Sequence, residues 1–197
     1  MNTPNKITMA RIAVTPVLPW LIVLNGVTAR VVAFVVFVLA AVSDVVDGRM
    51  ARGNDEITRF GQLLDPIADK LLVLVTLLPL YGLGLLPLWV VVVVLAREVI
   101  ITVFRGFALG HGQAIAASGW GKAKALAQNW FVGSILVWRI NDAVESARGL
   151  GGGAWAHWQG YTQAVIGVGL WFTVILTVVS LLDYLRRHRG LWAGAAA

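Results

Sequence analysis

Long apolar runs follow one another along almost the whole chain, parted by short polar connections. The clearest read VVAFVVFVLAAV at 31–42 and LWVVVVVLA at 88–96. A bilayer core is crossed by about 20 mostly apolar residues in a helix. On that measure the pattern predicts six spans, at 11–27, 29–50, 60–81, 85–107, 121–140 and 161–184, with a short interfacial helix holding Asn5, Thr8 and Arg11 at the first. Six helices take up roughly 120 residues, so little chain remains for a soluble domain. The expected fold is therefore all-α: a polytopic integral membrane protein with one membrane-embedded domain over 1–197. The N-terminus has the outline of a signal sequence, but no small-residue cleavage pattern follows its first apolar run, so that run is read as a retained span.

Composition sharpens this picture. Of 197 residues, 58% are hydrophobic and 13% charged, and mean hydropathy is +0.79. A soluble domain has about 25% charged residues. The absence of cysteine excludes disulfides, thiolate chemistry and cysteine-bound metal. A net charge of +6 raises the question of nucleic acid, but the basic residues flank apolar runs, where they face anionic lipid headgroups. Nucleic acid is not expected as a partner; membrane lipid is. Lys6 and Arg11, then Arg49, Arg52 and Arg59, then Arg105, Lys122 and Lys124, and finally Arg186, Arg187 and Arg189 mark alternate connections. The positive-inside bias then puts both termini on the cytoplasmic side. The Gly-rich stretch 149–153 reads as a flexible external loop.

The polar exceptions carry the chemistry. Asp44 and Asp47 stand three apart at the end of the second span, and Asp65 and Asp69 four apart at the start of the third. On helices each pair shares a face, and both ends fall on the cytoplasmic side. A carboxylate at the centre of a lone span costs about 2.5–3.5 kcal/mol, and clustered acids repel one another. Lys70, Arg49 and Arg52 offset part of that charge. Grouped hard oxygen ligands also suit Mg²⁺ or Mn²⁺. His111, His157 and His188 are scattered and remote from the acids, which disfavours zinc. Gly48 and Gly61 beside the acids leave room for a ligand to approach the backbone.

The residues spell Asp44-x2-Asp47-Gly48-x2-Ala51-Arg52-x8-Gly61-x3-Asp65-x3-Asp69. This resembles, with no member missing, the signature of the CDP-alcohol phosphotransferase family of membrane enzymes. The resemblance implies a six-span fold in the bacterial cytoplasmic membrane, a homodimer, and transfer of a substituted phosphoryl group from a CDP-linked donor to an alcohol with release of CMP. It implies that Asp44, Asp47, Asp65 and Asp69 surround two divalent cations on the cytoplasmic side, with Asp69 the catalytic base. Asp44, Gly48, Ala51, Arg52 and Gly61 would bind the CDP moiety.

The acceptor is narrowed by basic residues on the later spans. Arg97, Glu98 and Arg105 interrupt the fourth, and Lys122, Lys124 and Gln128 open the fifth. Arg97 and Glu98, being adjacent, are not expected to share a helix face, so each needs a partner elsewhere. Arg105 with the lysines suits a small anionic group, which favours a phosphorylated alcohol. The runs Pro4-Asn5-x2-Thr8-x2-Arg11, Arg97-Glu98-x-Ile100-Ile101-x3-Arg105 and Gly121-Lys122-x-Lys124-x3-Gln128 are similar to the phosphatidylglycerophosphate synthase branch of the family, although Ala125 stands where Thr is common. That similarity implies CDP-diacylglycerol as donor and sn-glycerol 3-phosphate as acceptor, its phosphate held by Arg105, Lys122 and Lys124. Cardiolipin synthases and phosphatidylinositol phosphate synthases of the same family are the alternatives. A cation or proton transporter is the alternative from another class, but it leaves the Gly and Ala–Arg spacing unexplained.

Overall fold

A computed structural model describes residues 3–53, 59–110, 119–149 and 153–187, and these are helical apart from short connections. The helices are α1 (Thr3–Val14), α2 (Leu18–Val23), α3 (Val27–Gly53), α4 (Arg59–Gly82), α5 (Leu88–Gly110), α6 (Gly119–Arg148) and α7 (Ala154–Arg187), with a 3₁₀ turn over Thr15–Val17 between α1 and α2. Prolines 16 and 19 account for that turn: each lacks an N–H and sits at the start of its element. The first predicted span is thus the later part of a longer helical run, Thr3–Val23, and the interfacial helix belongs to the same run.

Among the described residues three stretches are long and apolar enough to cross a membrane, Lys6–Val23, Val27–Asp44 and Trp155–Arg187, and Lys70–Gly82 is a shorter apolar helix. α5 is very apolar, but any 18-residue window of it contains Arg97, Glu98 and Arg105. α6 is more polar than its predicted span, since it runs on through Asn141, Asp142 and Glu145. The chain is an all-α, multi-pass membrane protein.

The contacts group into two compact units. One comprises Met1–Leu86 and Val132–Gln163, the other Pro87–Phe131 and Ala164–Ala197. In the first, α1 and α2 pack on both α3 and α4. Thr8, Arg11 and Thr15, spaced by three and four, are all buried, as are Leu18 and Ile22. Arg30 near the start of α3 donates to Asp142 Oδ2 at 2.7 Å and to the Arg139 carbonyl at 2.6 Å, tying α3 to α6. Gln159 Nε2 reaches Glu145 Oε2 at 2.8 Å and ties α6 to α7. α4 ends in a tight turn: Gly84 has φ +72°, and the Leu85 N–H reaches back to the Leu80 carbonyl at 3.0 Å.

The second unit buries hydroxyl groups among apolar side chains such as Val90, Val94 and Phe131, and its exterior is largely apolar. On α7, Thr173, Thr177 and Ser180 are buried, while Phe172, Ile175, Val178 and Leu182 are exposed. Thr177 satisfies its hydroxyl on the Thr173 carbonyl at 2.7 Å, and Thr173 donates across to the Ala127 carbonyl of α6 at 3.2 Å. Such a surface is stable against lipid, where helix association rests on close packing and hydrogen bonds and not on burying apolar area. Gly169 provides the close packing: a Cβ there would come 2.8 Å from a Trp130 ring carbon and 3.2 Å from Phe131. Gly167, two residues away, has nothing within 4 Å of that position. Gly169→Val is therefore expected to destabilise the protein by about 1–3 kcal/mol through overpacking. Gly167→Ala should be near neutral; thermal unfolding of both variants in the same detergent checks the contrast.

Candidate active site

The acidic signature lies on two helices of the first unit. Asp44 and Asp47 belong to the last part of α3, Asp65 and Asp69 to the first half of α4, so the helical spacing on which each pair depends is present. Pro66 is the eighth residue of α4, past the first turn, where its missing N–H removes an intrahelical bond. Beyond their helix backbone, Asp47, Gly48, Ala51, Arg52, Gly61, Asp65 and Asp69 lie outside the described residues.

Asp44 is described, and it is held by α1. Its Oδ1 accepts from Arg11 Nη1 at 2.5 Å, while Arg11 Nε donates to Ser43 Oγ at 3.1 Å. The Ser43 hydroxyl donates in turn to the Ala40 carbonyl at 2.9 Å, and Thr15 Oγ1 donates to the Arg11 carbonyl at 2.7 Å. The Arg11 side chain is 2% exposed and that of Asp44 43% exposed. The arrangement fixes one carboxylate oxygen from the buried side and leaves the group partly open. A carboxylate offers two oxygens and about four lone-pair directions, so Asp44 retains ligand capacity at Oδ2. Hard, anionic oxygens are the donor set that Mg²⁺ and Mn²⁺ prefer; in this respect the residues fit a divalent cation. Among the described residues no three His, Cys, Asp or Glu side chains come together, and three of the four aspartates fall outside that set.

The contact of Arg11 with Asp44 was not read from the sequence, where Arg11 counted as a basic flank, as part of the interfacial helix and as the last residue of the Pro4-Asn5-x2-Thr8-x2-Arg11 run. The signal was present: Thr8, Arg11 and Thr15 form a polar stripe on an apolar helix, and such a stripe in a membrane setting points inward.

The basic residues proposed for the acceptor lie in the second unit, and the structure separates their roles. Lys124 is buried, its Nζ 2.6 Å from Glu98 Oε1. Lys122 is exposed. Two positions along a helix is about 200° around it, so the two lysines point to different sides of α6. Arg97 and Glu98 do meet, contrary to the expectation from their adjacency: Arg97 Nη1 is 2.9 Å from Glu98 Oε1. Each also finds the interhelical partner that was expected. Arg97 donates from Nη2 and Nε to Ser180 Oγ at 2.7 and 3.2 Å, and Glu98 takes Lys124. Arg105 is part-buried beside Tyr184, and its buried Nε has no hydrogen-bond partner among the described residues. An unpaired buried donor is what an anion ligand requires.

The Glu98–Lys124 pair makes a direct prediction. Removing Glu98 leaves Lys124 buried without its carboxylate, and removing Lys124 leaves Glu98 with Arg97 alone; breaking a buried pair costs about 3–5 kcal/mol. Glu98→Leu and Lys124→Leu should each destabilise strongly. The double variant should lose well under the sum, and unfolding of all four proteins in detergent measures the coupling.

Comparison with known proteins identifies the family. Residues 1–179 match the CDP-alcohol phosphatidyltransferase family. A CDP-diacylglycerol–glycerol-3-phosphate 3-phosphatidyltransferase of Bacillus subtilis is 32% identical over 201 residues, covering 95% of each chain. A cardiolipin synthase (CMP-forming) of Streptomyces coelicolor is 41% identical over 115 residues, 57% of this chain and 54% of its own. A probable phosphatidylglycerophosphate synthase of Mycobacterium tuberculosis is 39% identical over 139 residues, 69% of this chain and 66% of its own. With the complete acidic signature on α3 and α4 and a match across nearly its whole length, the chain belongs to the CDP-alcohol phosphatidyltransferase family.

Proposed function

We propose that this protein is a phosphatidylglycerophosphate synthase, transferring the phosphatidyl group of CDP-diacylglycerol to sn-glycerol 3-phosphate with release of CMP. The observation that carries the reading is the complete signature from Asp44 to Asp69 in a chain whose similarity to a relative named for this reaction extends over 95% of both. The basic runs around Arg105 and Lys122 support a phosphorylated acceptor.

In this mechanism the sn-1 hydroxyl of the acceptor attacks the phosphorus that carries diacylglycerol. A new P–O bond forms, the bond to the CMP phosphate breaks, and CMP departs with the electron pair. The Asp69 carboxylate takes the hydroxyl proton as attack proceeds. Asp44, Asp47, Asp65 and Asp69 would hold two cations, Mg²⁺ or Mn²⁺, which supply charge neutralisation at the pyrophosphate and leaving group. Arg11 positions Asp44 by fixing its Oδ1. Gly48, Ala51 and Gly61 give the nucleotide room, and Arg52 with Asp44 completes the CDP site. Arg105 and Lys122 bind the acceptor phosphate, and Lys124 contributes through its pair with Glu98. With no cysteine in the chain and no histidine in the signature, attack is direct, without a phospho-enzyme. The functional form is a homodimer with six spans in a bacterial cytoplasmic membrane, its termini and acids on the cytoplasmic side. A second reading, cardiolipin synthase, is favoured by the Streptomyces relative, whose match is higher in identity but about half as long.

The experiment is an acceptor panel. Purified protein with Mg²⁺ or Mn²⁺ and labelled CDP-diacylglycerol is expected to release CMP with sn-glycerol 3-phosphate. Release with phosphatidylglycerol or inositol phosphate alone would move the reading to another branch of the family, and release with none would end it. Asp69→Asn should lower kcat by about 10²–10⁴-fold while donor binding persists. Arg105→Ala should act mainly on the acceptor KM.

A further inference from the structure

The first unit contains a second polar cluster that the reaction does not use. Arg30 on α3 and Arg139 on α6 lie side by side around Asp142. Arg30 sits 14 residues before Asp44 on the same helix, or about 21 Å along its axis, so the cluster occupies the end of α3 remote from the acids. Arg139 is 5% exposed. Its Nη1 and the Nε of Arg30 are both buried, and neither has a hydrogen-bond partner among the described residues. Two guanidiniums face one carboxylate, which leaves one positive charge unmatched. A buried donor without an acceptor costs about 1–3 kcal/mol, more when it is charged. Both arginines line one closed crevice with Leu21, Ile22, Ala33 and Leu136, and an anion admitted there as the side chains part would supply the acceptor that the described residues do not.

We propose that Arg30 and Arg139 form an anion site for a phosphate group, separate from the acidic signature. The forked guanidiniums match phosphate oxygens, and one negative charge balances the cluster. The apolar lining favours a phosphodiester that carries hydrocarbon, as a lipid headgroup does, over free inorganic phosphate. Such a ligand seals α2, α3 and α6 together without entering the reaction. Asp142 orients Arg30 through Oδ2, and the Arg139 carbonyl caps the same nitrogen.

The test is binding to the full-length protein in a zwitterionic detergent, and it does not depend on activity. Phosphatidylglycerol in mixed micelles is titrated in one arm and inorganic phosphate in the other, with thermal stability and phosphorus retained per protein as readouts. Saturable lipid binding is expected, with affinity about 10-fold or more lower in Arg139→Gln and intermediate in Arg139→Lys. Asp44→Asn should bind as the unmodified protein does, because the acids are remote. Stabilisation by phosphate alone, equally sensitive to Arg139, would keep the site and assign it to the free anion. Lower stability of Arg139→Gln with unchanged lipid affinity would mean a purely structural ion pair and overturn the proposal, as would loss of binding in Asp44→Asn. Should the Arg139 variants fail to fold, absence of saturable binding of either probe to the unmodified protein overturns it, and Arg30→Gln, at the more exposed arginine, reads the same affinity loss.

Discussion

A charge carried into hydrocarbon must be met by a group from the same protein, since no water is there to meet it. That constraint organises the structure. Arg11 meets Asp44 across 33 residues of sequence, Arg30 meets Asp142 across 112, and Lys124 meets Glu98 across 26. The first two pairs join helices that are not neighbours in chain order, α1 with α3 and α3 with α6; the third joins the consecutive helices α5 and α6. Buried ion pairs often do no better energetically than apolar side chains of the same volume, so these contacts act chiefly by excluding other packings. Lipid-facing Val, Leu and Phe cannot do that, because they are as well solvated by acyl chains as by a neighbouring helix. Gly169 against Trp130 and Phe131 adds shape to the same selection.

Much of the helical layout was legible because lipid imposes long apolar runs, and α3 and α4 begin and end within a few residues of expectation. The departures have physical causes. α6 was expected to stop at Ile140 but runs to Arg148, because Asp142 and Glu145 resemble a loop only until Arg30 and Gln159 are found opposite them. α7 begins seven residues earlier than its apolar run, its first turns carrying Trp155, His157 and Trp158, which suit a helix end at a polar boundary. Prolines 16 and 19 divide a run that hydropathy alone reads as one.

The helical register of the acids was legible, and the partner of Asp44 was not. Spacing of three and four survives into any helix, so Asp44 with Asp47, and Asp65 with Asp69, could be paired on paper. Nothing local announces that Arg11 clamps Asp44, since that contact depends on how α1 packs. The basic residues show the same limit: Lys122 and Lys124 look equivalent in sequence, and the structure exposes one and neutralises the other.

That difference bears on how an acceptor is chosen. Arg97, Glu98 and Lys124 together carry one positive charge, and the cations among them are already engaged with Glu98 and Ser180. In the proposed reaction, attraction for an anionic alcohol would fall to Arg105, whose buried Nε meets no acceptor among the described residues, and to exposed Lys122. Glu98 also limits that attraction by cancelling the most buried of the lysines. Such a proposed site would gain little from a neutral polyol, which brings no charge to a part-buried guanidinium. It gains most from a compact phosphate that can accept from the Arg105 fork in two places. The proposed preference for a phosphorylated acceptor thus rests on one arginine nitrogen, Nε of Arg105, that meets no acceptor among the described residues while Glu98, Arg97 and Lys124 satisfy one another.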